Sequence, residues 1–194
     1  MEDPRLRRAF NRLNKYFMVP AFRLGLGGLI GNPITGYIMV IKTIGRKTGR
    51  VRYTPVNYAI LDGCIYCMSG FGSGANWYAN LLAHPRIELI LPGCACWGEA
   101  EAVADSAEWS RATRQILQNG GFAGFMLGFN PFTASDDELR QKCQGLPVIR
   151  IRPSGIGSGP ADPGGWLWAA LMFLSIFWIL TRRKKKDEWR IANG

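Results

Sequence analysis

The sequence predicts a mainly β (α+β) fold, in which six strands form the body of one domain and helices flank them. Six segments have the apolar, β-branched composition of strands and are bounded by turn residues. Asp62-Gly63 and Pro92-Gly93 are two-residue turns that would join neighbouring segments into hairpins. The six segments are residues 34–43, 52–61, 64–69, 86–91, 94–103 and 146–151.

The N-terminal region, residues 1–32, is predicted to be an amphipathic helix followed by a loop. Apolar residues recur at helical spacing from Leu6 to Phe17, with arginine and lysine between them. Two interpretations stay open. Either the helix packs on the domain and exposes a basic face, or it rests on an anionic membrane. Residues 24–32 carry four glycines and are predicted to be a loop.

Three further helices are predicted within the body of the domain, residues 33–152. One covers residues 75–83, a second begins at Asp105 or Ser106 and runs to about residue 118, and a third opens at Ser135. The first of them ends at His84-Pro85, because proline disfavours helical geometry at the residue before it. His84 is the single histidine, and its position at the end of a helix favours a surface role over a catalytic one.

The C-terminal part of the chain has a different composition. Residues 153–165 are rich in glycine, proline and serine, which is typical of a flexible linker. Residues 166–181 are apolar and uncharged. With its flanking residues, this helix would be about 27 Å long, which is marginal against a bilayer core of about 30 Å. A basic tail, residues 182–194, follows and suits anionic headgroups. We therefore predict a transmembrane or membrane-inserted helix.

The net charge of +10 is concentrated at three places. Residues 1–23 and 182–194 each carry +4, residues 42–52 carry +5, and the rest of the chain carries −3. This distribution favours local contacts with anions over a basic coat for nucleic acid, so nucleic acid is not an expected partner.

The five cysteines favour a buried structural role over metal binding. Cys64 and Cys67, together with Cys94 and Cys96, superficially resemble a zinc-binding set. Both pairs lie in predicted strands, however, where the period of two sends Cys64 and Cys67 to opposite faces. We expect small buried hydrophobic residues and no metal. The odd count and the lack of a signal-peptide pattern favour a reducing compartment.

The basic turn, residues 42–52, is the first candidate for a functional element. It carries five cations and no acid, two glycines interrupt it, and predicted strands flank it. Glycine allows backbone N–H groups to point at an anion, and arginine and lysine supply donors for phosphate or carboxylate. We therefore predict an anion-binding turn.

A second block, residues 68–81, runs from a glycine- and serine-rich loop into the helix that begins near Trp77. We interpret this block and the basic turn as opposite walls of one cofactor cleft. The aromatic, glycine-rich residues 120–132 have two interpretations, which are core packing or an apolar roof over a substrate pocket.

These blocks resemble a known family. The run Thr43-x-Gly45-Arg46-Lys47-Thr48-Gly49-x-x-Arg52-x-x-Pro55, with Trp77-Tyr78-x-Asn80-Leu81 downstream, is similar to the deazaflavin-dependent nitroreductases and quinone reductases, which use coenzyme F420. The resemblance covers about residues 5–152 and is strongest over residues 40–92. It implies a six-stranded antiparallel split β-barrel of the FMN-binding type with flanking helices, to which this chain adds the C-terminal hydrophobic helix.

The resemblance also implies roles for individual residues. Arg46, Lys47 and Thr48 would hold the cofactor's phosphate and oligoglutamyl tail, and Arg52, Tyr53, Thr54, Pro55, Val56 and Asn57 would follow its stem. Cys67, Met68, Ser69 and Gly70 would meet the deazaflavin edge, and the facing helix would contribute Asn76, Trp77, Tyr78, Ala79 and Asn80. Phe122 and Phe125 would line the substrate pocket.

The implied reaction is hydride transfer from reduced F420 to a quinone or nitro-type acceptor. Where the family often carries tyrosines over the ring, this chain has Phe122-Ala123-Gly124-Phe125, so Ser69, Tyr53, Tyr78 or water are the candidates for a proton donor. Two alternatives stay open. One is a split barrel that binds FMN or another flavin, and the other is a non-enzymatic module that binds anionic lipid or nucleic acid.

The predicted membrane helix fits a lipid-soluble acceptor. Membrane lipids and a second copy of the chain, in a homodimer, are further candidate partners. The positive-inside rule would place residues 182–186 in the cytoplasm, and a single span would then put the domain outside. Either the basic N-terminus and Arg150 and Arg152 outweigh the tail, or the helix enters the membrane without crossing it. We expect the chain at the cell membrane, with its catalytic domain facing the cytoplasm.

Overall fold

The structure, a computed structural model, describes residues 4–157 and 165–192. Six strands form a closed barrel in the order β1-β2-β3-β6-β5-β4, and every neighbouring pair is antiparallel. The strands are β1 (Ile38–Ile44), β2 (Val51–Leu61), β3 (Cys64–Met68), β4 (Arg86–Leu91), β5 (Cys94–Ala102) and β6 (Val148–Ile156). The predicted six-stranded antiparallel barrel is confirmed.

Helices flank the barrel. They are α1 (Pro4–Leu13), a π-helical turn (Asn14–Met18), α2 (Val19–Arg23), α3 (Gly27–Ile30), α4 (Asn76–Ala83), α5 (Ser106–Gln118), a 3-10 helix (Gly121–Phe125), α6 (Asp136–Cys143) and α7 (Gly165–Ala192). Asp105 and Ser135 cap α5 and α6, because their side-chain oxygens accept hydrogen bonds from Glu108 N and Glu138 N.

Two tight turns set the register of the barrel. Asp62 and Gly63 join β2 to β3 with φ values of 50° and 74°. Positive φ at both central residues is the requirement of a type I′ turn, whose twist matches that of the paired strands. A second two-residue turn, Pro92-Gly93, joins β4 to β5. Because side chains alternate along each strand, these registers decide which residues face the interior.

The barrel interior is apolar. Its buried residues are Met39, Ile41, Ile65, Cys67, Leu81, Ile87, Leu89, Ala100, Ile149 and Ile151. Cys67 belongs to this interior set, whereas Cys64 packs outside the barrel beside Ala59 and Tyr66. The predicted placement of the two cysteines on opposite faces is therefore confirmed, and burial raises the pKa of the Cys67 thiol.

A polar network ties α5 to the barrel. Glu108 of α5 accepts hydrogen bonds from Tyr66 Oη and from Arg150 Nη1, each at 2.8 Å. Arg150 Nε also donates to Glu101 at 2.8 Å, and this bond holds the pKa of Glu101 below its usual value. Burial first, and then the bond to Glu108, raises the pKa of Tyr66. The network joins the first turn of α5 to β3 and β6.

Some element boundaries differ from those predicted. β1 begins at Ile38 and not at residue 34, because Asn32 Oδ1 accepts from the N–H groups of Ile34 and Thr35 and folds the preceding segment into a turn. The predicted loop of residues 24–32 contains α3. β6 continues to Ile156, into the predicted linker, because its backbone pairs with β5 as far as Cys96. Residues 158–164 of that linker lie outside the described residues.

The C-terminal helix is longer than predicted. α7 runs from Gly165 to Ala192, so the helix predicted over residues 166–181 continues into the basic tail. Its central residues expose large apolar side chains, including Phe173 and Phe177. The sequence predicted a transmembrane or membrane-inserted segment here. Among the described residues, however, no helix combines the length and the apolar character needed to span a bilayer.

Candidate active site

A cavity of about 560 Å³ lies between the barrel wall and the N-terminal helices. β2 contributes Thr54–Asn57, the loop after β3 contributes Gly70 and Phe71, and α4 contributes Asn76 and Trp77. The other lining residues are Asn11, Leu13, Asn14, Phe17, Met18, Ile30, Thr35, Ile38, Met68, Ala75, Ile116, Leu117, Gly120, Phe122, Ala123, Gly124, Met126, Leu127 and Leu146.

The chemistry of this lining is apolar and uncharged. None of the described residues that line it carries an ionisable side chain. Its polar groups are the indole N–H of Trp77 and the side chains of Asn11, Asn14, Thr35, Thr54, Asn57 and Asn76. Such a cavity suits a neutral, flat organic molecule that is recognised by apolar contact and a small number of amide and hydroxyl groups.

The 3-10 helix is held against the cavity by close backbone contacts. Phe122 N donates to Ile34 O at 3.1 Å, and Tyr37 N donates to Asn119 O at 2.8 Å. These bonds join the segment after α5 to the turn before β1. They place Phe122, which is 63% exposed, at the mouth of the cavity.

The basic turn docks on α4 through Arg46. Arg46 N and Arg46 Nη1 both donate to Asn80 Oδ1, at 3.2 and 3.1 Å, and Arg46 Nη1 also reaches Asn76 O at 3.4 Å. Asn80 is only 6% exposed, so its side chain is committed to this contact. Because Asn76 lines the cavity, the basic turn adjoins the cavity at the start of α4.

Three of the other four cations of the turn point into solvent. Lys47, Arg50 and Arg52 are exposed, and within residues 4–157 and 165–192 none of them has an ion-pair partner. Lys42 differs, because it donates to the buried Glu88 at 2.7 Å. The turn therefore presents three cations to solvent beside an uncharged cavity.

About half of the predicted site residues line the cavity. These are Thr54, Pro55, Val56, Asn57, Met68, Gly70, Asn76, Trp77 and Phe122. Arg46, Lys47, Thr48 and Arg52 lie on the basic turn next to it, and Ala79 and Asn80 lie further along α4 and do not line it. Phe125 is not part of the lining either, because its ring stacks on Phe132 with centroids 6.3 Å apart.

The three candidates for a proton donor do not line the cavity. Ser69 is buried, and its hydroxyl donates to Gly72 O at 2.7 Å. Tyr53 packs outside the barrel under the guanidinium of Arg23, which lies 5.2 Å from the ring centroid. Tyr78 packs against the interior core, beside the edge of Trp77. Cys67 lies in the same interior, away from the cavity.

The sequence analysis missed the contribution of the N-terminal helices. Leu13 and Phe17 carry the helical spacing that indicated a docked face, and both line the cavity. The spacing showed which side of the helix packs. It could not show that this side covers β2 and the loop after β3, because that choice depends on contacts between distant parts of the chain.

A family model matches more than half of the chain. The model describes F420H(2)-dependent quinone reductases and matches residues 18–120, which include the basic turn, β2, the loop after β3 and α4. The chain belongs to the F420H(2)-dependent quinone reductase family. It is an oxidoreductase whose cofactor is F420, as the motifs predicted.

Solved structures similar to this chain include an F420-H2 dependent reductase, with 18% identity over 59% of this chain and 93% of that one and a TM-score of 0.40. A conserved hypothetical protein from Mycobacterium tuberculosis is 16% identical over 67% of this chain and 81% of that one, with a TM-score of 0.43. General Stress Protein 26 from Bacillus anthracis is 11% identical over 69% of this chain and 89% of that one, with a TM-score of 0.41.

Proposed function

We propose that this F420-dependent oxidoreductase transfers a hydride from reduced F420 to a quinone in the cavity between the barrel and the N-terminal helices. The contact between the basic turn and the cavity carries the proposal. Arg46 of the turn reaches the carbonyl of Asn76, and Asn76 lines the cavity. A cofactor with a polyanionic tail and an uncharged ring system can bind across this junction.

The basic turn would hold the cofactor's tail. Lys47, Arg50 and Arg52 are exposed cations, so they can bind phosphate and carboxylate groups with little loss of existing interactions. Arg46 is already fixed on Asn80, which limits the movement of the turn. These residues fit the phosphate and oligoglutamyl tail of F420, and their exposure makes the attraction sensitive to salt.

The cavity would hold the ring system and the acceptor. Its volume of about 560 Å³ lies in the range of small-molecule sites. When bound, the reduced deazaflavin supplies the hydride. Met68, Trp77 and Phe122 offer apolar surface that would orient the two ring systems and exclude water. Because no described lining residue is ionisable, the proton that accompanies the hydride would come from water at the cavity mouth.

Equilibrium titration with F420 tests the proposed site. We expect Lys47→Ala and Arg52→Ala each to weaken F420 binding by roughly 5- to 20-fold, a typical effect for one charge-assisted contact. Arg111→Ala is the matched control, because Arg111 is also an exposed arginine but pairs with Asp62 outside the cavity. It should bind F420 as the unmodified protein does.

The same titration distinguishes F420 from FMN. FMN has a single phosphate and no oligoglutamyl tail, so the two substitutions should weaken FMN binding less than they weaken F420 binding. If the unmodified protein binds FMN but shows no F420 binding at tens of micromolar, the proposed site is wrong. If F420 binds but menadione does not oxidise reduced F420 in the presence of the enzyme, the proposed cofactor site stands and the proposed quinone acceptor is wrong.

We further propose that α7 associates with lipid. Its side chains from Leu171 to Leu180 include nine large apolar residues that are each 45–67% exposed. Arg182 lies over the ring of Trp178 at 4.1 Å, so an aromatic ring and a cation meet where the apolar run ends. This arrangement suits a helix that enters the interface and brings the catalytic domain to a lipid-soluble quinone. On this proposal the domain faces the cytoplasm.

Co-sedimentation of the full chain with vesicles of anionic and neutral lipid tests the association. Phe173→Glu and Phe177→Glu place charges on the exposed apolar surface of α7 and should reduce binding. Phe132→Glu is the control, since Phe132 is similarly exposed but lies on the catalytic domain. Equal binding by all three variants and the unmodified chain would show that α7 does not carry the association.

A further inference from the structure

The N-terminal helix contributes an unusual turn to the cavity. Residues Asn14–Met18 are π-helical, and Val19 N donates to Asn14 O. Pro20 follows directly; it has no N–H to donate, and its ring crowds the carbonyl four residues earlier. Helical turns of this kind are rare and occur often at functional sites. Here the turn lies where the helix covers the cavity, with Asn14, Phe17 and Met18 in the lining.

Asn14 is a polar side chain with unused hydrogen-bonding capacity in this wall. It is half-buried, and within the described part of the chain its side-chain amide makes no hydrogen bond. Among the other polar lining residues, Asn57 donates to Tyr37 O, and the hydroxyl of Thr35 donates to Ile30 O. Asn11 and Asn76 are exposed. The Asn14 amide can therefore donate to a ligand in the cavity without breaking an existing side-chain bond.

The position of Asn14 distinguishes it from Thr54 and Trp77, the other half-buried side chains of the lining with a polar group and no hydrogen bond in the described chain. Thr54 belongs to β2 and Trp77 to α4, and these are the walls that adjoin the basic turn. Asn14 belongs to the helix, and its neighbours Leu13 and Phe17 are apolar. If the cofactor follows β2, then Asn14 faces the remaining space, which the acceptor would fill.

A quinone that accepts a hydride develops negative charge on a carbonyl oxygen. The oxygen needs a hydrogen-bond donor at that moment, and no described lining residue offers a charged one. A side-chain amide carries two N–H donors and cannot itself be deprotonated in the reaction. It can therefore orient the quinone by its carbonyl and stabilise the charge that forms there.

We propose that Asn14 is the acceptor-orienting residue of this enzyme, and that its Nδ2 donates a hydrogen bond to a carbonyl oxygen of the quinone. The inference rests on the proposed function and specifies which element recognises the acceptor. After hydride transfer the same oxygen takes a proton from water, which completes the two-electron reduction of the quinone to the quinol and leaves the deazaflavin oxidised.

Binding without turnover tests this proposal directly. The probes are menadione and 2-methylnaphthalene, which share a ring system but differ in the two carbonyls. Both are titrated into the enzyme loaded with oxidised F420, so that no hydride is transferred. We expect the unmodified enzyme to prefer menadione by about 10-fold, and Asn14→Leu, which keeps the side-chain size, to lose most of that preference.

Steady-state kinetics provide the second readout. Asn14→Leu and Asn14→Ala should lower kcat/KM for menadione by about 10- to 100-fold, because the donor also acts on the developing charge. Their affinity for F420 should stay within about twofold of the unmodified enzyme. Lys15→Ala is the matched control, since Lys15 is the exposed neighbour on the same turn and does not line the cavity.

The outcomes separate this proposal from the proposed function. If the unmodified enzyme reduces menadione and the Asn14 variants keep both the preference for menadione and kcat/KM, the role of Asn14 is wrong and the proposed function stands. If the Asn14 variants lose F420 affinity to the same degree as kcat/KM, Asn14 belongs to the cofactor site and the assignment is also wrong. If the unmodified enzyme does not bind F420 at all, the proposed function itself fails.

Discussion

The contact between Arg46 and Asn80 makes a quantitative prediction about how the basic turn is positioned. Asn80 Oδ1 accepts two hydrogen bonds from Arg46, one from the backbone N–H and one from the guanidinium. Asn80→Ala removes the acceptor and leaves both donors without this partner. Because Asn80 is almost fully buried in α4, water replaces it incompletely.

The expected cost follows from these two bonds. A neutral hydrogen bond contributes about 1 kcal/mol to the free energy of unfolding, and the guanidinium bond about the same once the exposure of Arg46 is allowed for. The variant should therefore be about 2 kcal/mol less stable. If the cofactor must reorder the loosened turn, the same free energy appears in binding, and the Kd for F420 rises by roughly 10- to 30-fold.

The assay combines chemical denaturation with F420 titration. Asn130→Ala is the matched control, because Asn130 Oδ1 also accepts a backbone hydrogen bond, from Phe132 N at 3.0 Å, but does so outside the cavity. It should lose some stability and keep its F420 affinity. The reasoning is refuted if Asn80→Ala is destabilised but binds F420 within twofold of the unmodified protein, since the turn would then be positioned by other contacts.

Two further predictions concern stability. Gly121 has φ +56°, and a Cβ there would clash with Ile34 O, whereas Gly128 has φ +79° and open space around it. Gly121→Ala should therefore lower the free energy of unfolding by roughly 2 kcal/mol more than Gly128→Ala does. Equal denaturation midpoints for the two variants would contradict this. Burial raises the pKa of Cys143 to about 11, so its thiol stabilises the fold fully below the unfolded value of about 8.5 and progressively less as the pH rises towards 11. Over that pH range the Tm of Cys143→Ala should fall less steeply than the Tm of the unmodified protein. Cys94→Ala, at an exposed position, is the control and should behave as the unmodified protein does. Parallel curves of Tm against pH for all three proteins would contradict the prediction.

The strands and turns of the barrel were predictable because their signals are local. Asp62-Gly63 adopts the positive φ values that a two-residue hairpin needs, and this requirement is visible in the two residues themselves. The caps at Asp105 and Ser135 are equally local, because each side chain bonds a backbone N–H three residues later. The closed barrel itself followed from the family resemblance and not from these signals.

The assignment of individual residues to the cofactor stays a prediction, and the structure adds contacts that the sequence could not show. The motif placed Asn80 among the cofactor-binding residues, and in the structure its side chain accepts hydrogen bonds from Arg46. Ser69 was a candidate proton donor, and its hydroxyl is bonded to Gly72 O. In both cases the residue type is capable of either role. For Asn80 the partner comes from a distant part of the chain, so only the tertiary structure shows the contact.

The sequence by itself determined the six strands, the tight turns, the concentration of charge at the basic turn and the family. Each of these depends on residues close together in the chain or on a motif of fixed spacing. The tertiary structure alone decided that the helix carrying Asn14 and Phe17 covers the cavity, and that Tyr53 and Tyr78 turn away from it. The physical reason is that a side chain's role depends on which surfaces pack together, and an amphipathic face specifies that it will be buried without specifying its partner.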